Sequence, residues 1–279
     1  MIVKEKTFDE ERALYGVHGA QVIGCKFDGP ADGESALKES EDITVENCFF
    51  NLRYPFWHVD DARIMHCELT ENCRAALWYD RNVTLRGCKM HGIKALRECR
   101  GITLEDNDIL SREFGWRSSG ISIRSCTLDS EYPFFECREL EIAGLKMKAK
   151  YSFQYVEEAI LRDCELDTKD AFWHSKNVTV VNSTVKGEYL GWYSENLRLV
   201  RCRIIGTQPL CYCRGLVLED CTMECCDLAF ERSEVQASIR GGVDSVKNPL
   251  CGSIPADSIG QTILEPAYID PTRTVITVR

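Results

Sequence analysis

Residues 170–204 read DAFWHSKNVTVVNSTVKGEYLGWYSENLRLVRCRI, and within them nearly one phrase occurs twice. Ala171-Phe172-Trp173-His174-Ser175 returns nineteen residues later as Leu190-Gly191-Trp192-Tyr193-Ser194, and Val178-Thr179-Val180 returns as Leu197-Arg198-Leu199. A fixed interval of this length is the mark of a stacked repeat, in which each unit buries its apolar face against the next. Followed outward, the unit is apolar-x-apolar-x-x-Cys-x-apolar. It appears as Ile43-T-Val45-E-N-Cys48-F-Phe50, Ala62-R-Ile64-M-H-Cys67-E-Leu69 and Val83-T-Leu85-R-G-Cys88-K-Met90, with a first copy at Ala20-Q-Val22-I-G-Cys25-K-Phe27.

The sixth position falls at 25, 48, 67, 88, 107, 126, 145, 164, 183, 202 and 221, and every step from 88 onward is nineteen. Eight of these eleven residues are Cys; the others are Asn107, Leu145 and Ser183. Apolar residues two apart mean a strand with one buried face, and the two residues between pairs let the chain turn. A third apolar position follows near Phe56, Leu77, Leu96, Phe134, Phe153, Phe172 and Leu210. Three short strands per turn, stacked about 4.8 Å apart, make a parallel β-helix. Parallel crossovers favour the right hand, and nineteen does not divide into the six-residue period of a left-handed helix.

The expected fold is therefore all-β: a single-stranded right-handed parallel β-helix solenoid of about 11 coils of about 19 residues, capped at both ends. One domain is expected over 1–279: an N-terminal cap at 1–19, coils at 20–234 and an irregular C-terminal cap at 235–279. Open ends expose unpaired strand edges, which is why caps are expected. The stretch FDEERALYG in the first segment predicts a short amphipathic helix. The last segment loses the period, carries Pro249, Pro255, Pro266 and Pro271, and predicts a strand at Thr274–Val278.

Sixteen cysteines and a net charge of −10 narrow the classes. The charge argues against a nucleic-acid partner, which needs a basic stripe. No window approaches a membrane span, and the first residues lack the apolar run of a signal peptide, so a cytoplasmic protein is expected. Disulfides are disfavoured there. Cys25, Cys48, Cys67, Cys88, Cys126, Cys164, Cys202 and Cys221 form an inward cysteine ladder, and Cys99, Cys137 and Cys213 share a second column; both read as small core residues. Cys211-Tyr212-Cys213 with Cys225-Cys226 lacks the paired spacing of a structural zinc site, so no metal and no cofactor are expected.

Nine residues past the ladder lies a column containing Trp57, Arg97, Trp116, Phe135, Gln154, Trp173, Trp192, Cys211 and Phe230, joined by Trp78 after an insertion. All five tryptophans of the chain are in it. The next column holds His58, Tyr79, Glu98, Arg117, Glu136, Tyr155, His174, Tyr193, Tyr212 and Glu231. Two readings stand side by side. The rings are a structural ladder, or they line a face whose flat aromatics and polar neighbours suit a saccharide. Arg97 and Gln154 favour exposure, because unpaired buried Arg is costly. Strict alternation favours burial, since it places Trp on the side of Val59, Cys99, Ser118 and Cys137.

No Ser-His-Asp pattern and no phosphate-binding glycine loop is present. Glycosidase chemistry needs two facing carboxylates, and Asp60/Asp61, Glu98, Glu136 and Glu157/Glu158 are the acids that adjacent coils supply. Lyase chemistry would need calcium. The insertion FDGPADGESALKESEDI at 27–43, with turn signals Gly29-Pro30 and Asp32-Gly33, brings Glu34, Ser35, Lys38 and Glu39 beside Tyr54–His58.

Four motifs now occur in order: Glu11-Arg12-Ala13-Leu14-Tyr15, the DGESALKES of 32–40, Tyr54-Pro55-Phe56-Trp57-His58 and Arg74-Ala75-Ala76-Leu77-Trp78-Tyr79. Together they resemble a bacterial family of uncharacterised right-handed β-helix proteins with a pectin-lyase-like fold, a domain of unknown function. The resemblance covers nearly the whole chain and implies the fold; it implies no activity. It does place any site near 11–15, 34–39, 54–58 and 74–79. Ala36 stands where the family pattern leads one to expect Pro, which makes for a looser loop. The functional expectation is saccharide binding or modification by Trp57, His58, Trp78, Tyr79, Glu98, Trp116, Arg117, Trp173, His174, Trp192 and Tyr193, with Glu34, Lys38 and Glu39. The alternative is a non-enzymatic scaffold whose face meets a protein or a second copy of the chain.

Overall fold

A computed structural model describes residues 1–29 and 33–279. Pro30, Ala31 and Asp32, on which the two turn signals of the insertion fall, lie outside the described residues. The fold is an all-β, right-handed parallel β-helix of about 14 turns. It divides into two compact units, Met1–Lys146 and Met147–Arg279.

In the first unit, strands Asp60–Met65, Arg81–Arg86, Arg100–Glu105, Ser119–Arg124 and Arg138–Ala143 lie parallel and in register. Ile64 pairs with Leu85, Leu85 with Leu104 and Leu104 with Ile123, all within a buried column. A second row of short strands stacks Phe8 on Phe27 and Phe27 on Phe50, with ring centroids 5.2 and 4.7 Å apart. The second unit repeats the plan: Val180 pairs with Leu199, Leu199 with Leu218, and Phe153 stacks on Phe172 at 5.0 Å.

The count of 14 against the expected 11 comes from both ends. The helix expected over FDEERALYG is absent. Ile2–Lys4 and Thr7–Phe8 are strands, and the amides of Arg12, Leu14 and Gly16 donate to the carbonyls of Glu34, Ala36 and Lys38. Alternate amides are thus engaged by the next coil. A helix this short gains too few bonds to offset its nucleation, so interstrand pairing wins. At the other end Glu234–Ile239, Cys251–Ala256 and Thr274–Val278 remain parallel partners. Val235 pairs with Gly252 and Gly252 with Thr274, so the coil continues with steps of 17 and 22 residues. The sequence period is lost there while the stacking persists.

The cysteine column does more than fill space. The amides of Cys25, Cys48 and Cys67 donate to the sulfur of the next coil's cysteine, each at 3.4 Å. Asn107 Oδ1 takes the same bond from Cys88 at 2.8 Å, and Ser183 Oγ takes it from Cys164 at 3.0 Å. The position asks for a small side chain with an acceptor, because a buried amide left without one is costly. That accounts for Asn107 and Ser183 among the cysteines. All cysteines are free thiols, and all but Cys225 and Cys251 are buried. Burial pushes the Cys73 and Cys137 thiols up to about 12, which keeps them unreactive.

Candidate functional site

The corner beside each cysteine is turned by one residue in the left-handed region, as at Asn47 (φ 53°), Gly87 (φ 61°), Asp106 (φ 54°) and Asn182 (φ 50°). Asn, Asp and Gly tolerate this region, so the sequence there follows the backbone. A third corner breaks the rule. It has φ 58° at His58, 61° at Tyr79, 53° at Glu98, 54° at Arg117 and 54° at Glu136. Bulky side chains stand here, as they also do at the Phe134, Phe153, Phe172 and Leu210 positions of the repeat.

This corner settles the alternation argument. A left-handed residue resets the strand's parity, so Trp57 lies half-buried on the outer side, His58 is exposed, and Val59 is still buried. The same triplet recurs as Trp78, Tyr79 and Asp80, and as Trp116, Arg117 and Ser118. Alternation across this corner therefore fails: the positive φ lets Trp57 stay half-buried while Val59 is buried.

The insertion joins these columns. The amide of Glu39 donates to Trp57 O, and that of His58 to Trp78 O, so Lys38 precedes Trp57 and Glu39 precedes His58 in the stack. The Lys38 ammonium sits 4.3 Å from the centroid of the Trp57 ring. The Tyr15 hydroxyl donates to the Glu39 carboxylate. Glu34 pairs with Arg53 at 3.4 Å.

The tryptophan faces are already occupied. Trp57 and Trp78 stack at 5.4 Å with planes 12° apart, and Arg97 lies over Trp116 at 5.5 Å. A sugar ring stacked on Trp57 would have to displace Lys38 or Trp78, which already lie against that indole. In the second unit Trp173 and Trp192 stack at 5.5 Å, and their indole N–H groups donate to Tyr189 O at 2.7 Å and Gln208 O at 2.8 Å. Trp116 does likewise to Tyr132 O at 2.6 Å. The buried indole nitrogens of Trp57 and Trp78 have no hydrogen-bond partner among the described residues.

Four expected residues of the first unit do converge. His58, Tyr79, Glu98 and Arg117 line one pocket of about 260 Å³, together with Asp80, Arg81 and Arg100. His58 and Tyr79 stack at 5.1 Å. Tyr79 hydrogen-bonds Glu98, which raises the phenol's pKa. Partial burial opposes ionisation of Glu98, yet hydrogen bonds from Arg97 and Tyr79 outweigh it and hold the carboxyl below its ordinary range. Arg97 Nε lies 3.0 Å from Glu98, and Arg117 Nε lies 2.8 Å from Glu136. These acids are thus tied to arginines, and no pair of facing carboxylates emerges from them.

Three pocket residues were missed from sequence. Asp80 is fully buried. Its Oδ1 accepts the Val59 amide at 2.8 Å and its Oδ2 has no partner among the described residues. Burial raises its pKa well above the carboxylate range. The signal was available: once the insertion before Trp78 is counted, an Asp falls in the inward column of Val59, Cys99 and Ser118. Arg81 and Arg100 looked like ordinary outward strand residues.

Trp173, His174, Trp192 and Tyr193 belong to the second unit. There Tyr155, His174, Tyr193 and Tyr212 form an unbroken stack with centroid spacings of 5.0, 5.0 and 4.8 Å. Among the described residues no three His, Cys, Asp or Glu side chains group as metal ligands would.

A stacked parallel β-helix with a polar pocket beside two aromatic columns defines the class. The chain belongs to the family described as Protein of unknown function (DUF3737), whose model matches residues 1–277. No curated protein matches it. Among solved structures it is similar in fold to PfbA, a surface adhesin of Streptococcus pneumoniae, at TM-score 0.42 and 8% identity over 86% of this chain and 80% of that one. It is similar to the A-module of the Azotobacter vinelandii mannuronan C-5 epimerase AlgE4 at TM-score 0.35 and 10% identity, over 99% and 89%. A GH87 α-1,3-glucanase catalytic domain gives TM-score 0.36 at 8% identity, with 99% of this chain spanning 63% of that one.

Proposed function

We propose that the first unit binds a saccharide chain in the pocket of His58, Tyr79, Glu98 and Arg117. The observation that carries this reading is their convergence from four consecutive coils on one pocket. One donor or acceptor per coil, about 4.8 Å apart, suits a ligand that repeats hydroxyl groups along its length. The half-buried tryptophans brace the row from behind. The sixteen free cysteines support a reducing, cytoplasmic setting.

The test is calorimetric titration of the full chain with linear neutral and acidic oligosaccharides, in wild type and in two variants. Asn tolerates positive φ, so His58→Asn and His174→Asn keep their corners. One saccharide class binds saturably, and His58→Asn weakens it at least tenfold while His174→Asn does not. Silence across the panel, or an equal loss in His174→Asn, would sink the reading.

A second reading attaches to the other unit. Tyr155 and Tyr193 are 47% and 44% exposed in an aromatic row, which favours contact with another protein or a second copy. Sedimentation velocity over a hundredfold concentration range separates this from a monomer, and Tyr193→Ser would reverse any association found.

A further inference from the structure

We infer that the saccharide is anionic, and that Arg81 and Arg100 together hold one of its carboxylates. This rests on the saccharide reading of the same pocket and goes on to name the ligand's charge.

Arg81 and Arg100 are register partners in adjacent parallel strands. Their backbones are therefore about 4.8 Å apart. Directly opposed like charges on one sheet face are destabilising. Neighbouring cations on this surface have acids to offset them: Arg97 has Glu98 and Glu113, and Arg117 has Glu136. Arg81 and Arg100 have none; neither guanidinium makes a hydrogen bond or an ion pair with a described residue. Asp60 is Arg81's register partner on the other side, but its carboxylate accepts from Asn82 at 3.2 Å instead. What sets Arg81 and Arg100 apart from other arginines without an acid among the described residues, such as Arg63 and Arg124, is that they abut in register and line the pocket.

Both line the pocket. Two adjacent guanidinium planes offer several donors in a fork that matches the two oxygens of a planar carboxylate. The ring hydroxyls of the same sugar then fall to Tyr79, His58 and Glu98. A nucleic-acid phosphate is a poor fit, because Asp60 and Glu98 flank the pair and the chain lacks a basic stripe.

The experiment compares wild type with the double variant Arg81→Gln/Arg100→Gln, both verified by circular dichroism and by urea midpoint. Each is titrated with a uronic-acid tetrasaccharide and with its carboxyl-reduced, neutral counterpart, and inorganic phosphate serves as competitor. The wild type prefers the acidic ligand at least tenfold, the preference falls to about one in the double variant, and millimolar phosphate displaces the acidic ligand only weakly. Equal binding of the two ligands by wild type overturns the inference and leaves the saccharide reading standing. So does a preference that survives in the double variant. Displacement by phosphate as effective as by free uronic acid makes the pair a general oxyanion site and overturns the carboxylate assignment. Binding of neither ligand defeats the saccharide reading, and the inference with it.

Discussion

The two units place side chains of the same kind at the same point of the repeat and use them differently. In the second unit the left-handed corner carries Tyr155, His174, Tyr193 and Tyr212, and the rings stack without a break. Trp173 and Trp192 behind them satisfy their N–H groups on backbone carbonyls. In the first unit the stack stops after His58 and Tyr79, and Glu98 and Arg117 follow. Beside them, among the described residues, two indole nitrogens have no hydrogen-bond partner, a carboxyl is buried, and two arginines have no acid. Each left-handed L-residue costs about 1–2 kcal/mol. The second unit offsets that with ring contacts, each worth about 0.5–1.5 kcal/mol. The first meets it with one stacked pair and with ion pairs at Glu98 and Arg117, so the two units stabilise the same corner by different contacts.

Asp80 provides the largest expected effect. Its counterpart two coils on, Ser118, accepts the Cys99 amide at 3.0 Å and donates to Trp116 O at 3.2 Å, so a neutral group fills the position fully. Asp80 accepts from Val59 and leaves Oδ2 unmatched. Burial raises its pKa, so the folded chain binds a proton that the unfolded chain releases. The stability this group contributes is complete below the unfolded carboxylate range, near pH 4, and is lost as pH rises toward the folded value. Asp80→Asn should therefore raise the unfolding free energy measured in urea at pH 7 by about 1–3 kcal/mol if one unsatisfied buried group is relieved. At pH 4 the gain should shrink. Parallel wild-type and variant curves from pH 4 to 8 would show that Asp80 does not titrate with folding, and would remove one contrast between the units.

The two indole environments can be separated next. Trp→Phe removes a similar ring area at position 78 and at position 192, so the difference between the variants isolates the N–H. Trp192→Phe leaves Gln208 O without its donor, whereas Trp78→Phe deletes an N–H that had no acceptor. The first should cost about 1 kcal/mol more than the second in urea unfolding. Equal losses would mean that both indoles are structural in the same way.

The sequence revealed the stack because stacking is periodic: identical coils need identical apolar positions, and the nineteen-residue step of the cysteines records that need directly. It did not reveal the ends, where the steps of 17 and 22 keep the pairing and discard the period. It placed His58, Tyr79, Glu98 and Arg117 in one column correctly, but their backbone was hidden. Asn and Gly announce a left-handed corner; Tyr and Arg do not. That silent corner is why alternation wrongly argued for buried tryptophans. Arg81 and Arg100 were hidden for another reason: an arginine's missing partner is a property of neighbours nineteen residues away, which no local pattern carries.

Lys38 gives the smallest effect and tests whether the insertion belongs to the site. Its ammonium over Trp57 closes the indole pair from the N-terminal side, as Arg97 covers Trp116 further along. A cation over an indole contributes about 0.5–1 kcal/mol at a partly exposed site. Lys38→Met keeps the apolar stem and removes the charge, so urea unfolding should weaken by that amount and no more. The informative reading is ligand affinity. If 34–40 only covers the indole pair, saccharide binding is unchanged, because the Trp57 face is covered by a stem of the same length. If the segment takes part, the loss of a cation one coil from His58 weakens an acidic ligand more than its neutral counterpart. The insertion would then be the feature that divides the units, since Lys38 and Glu39 enter the first unit's columns from a segment to which the nineteen-residue count does not apply.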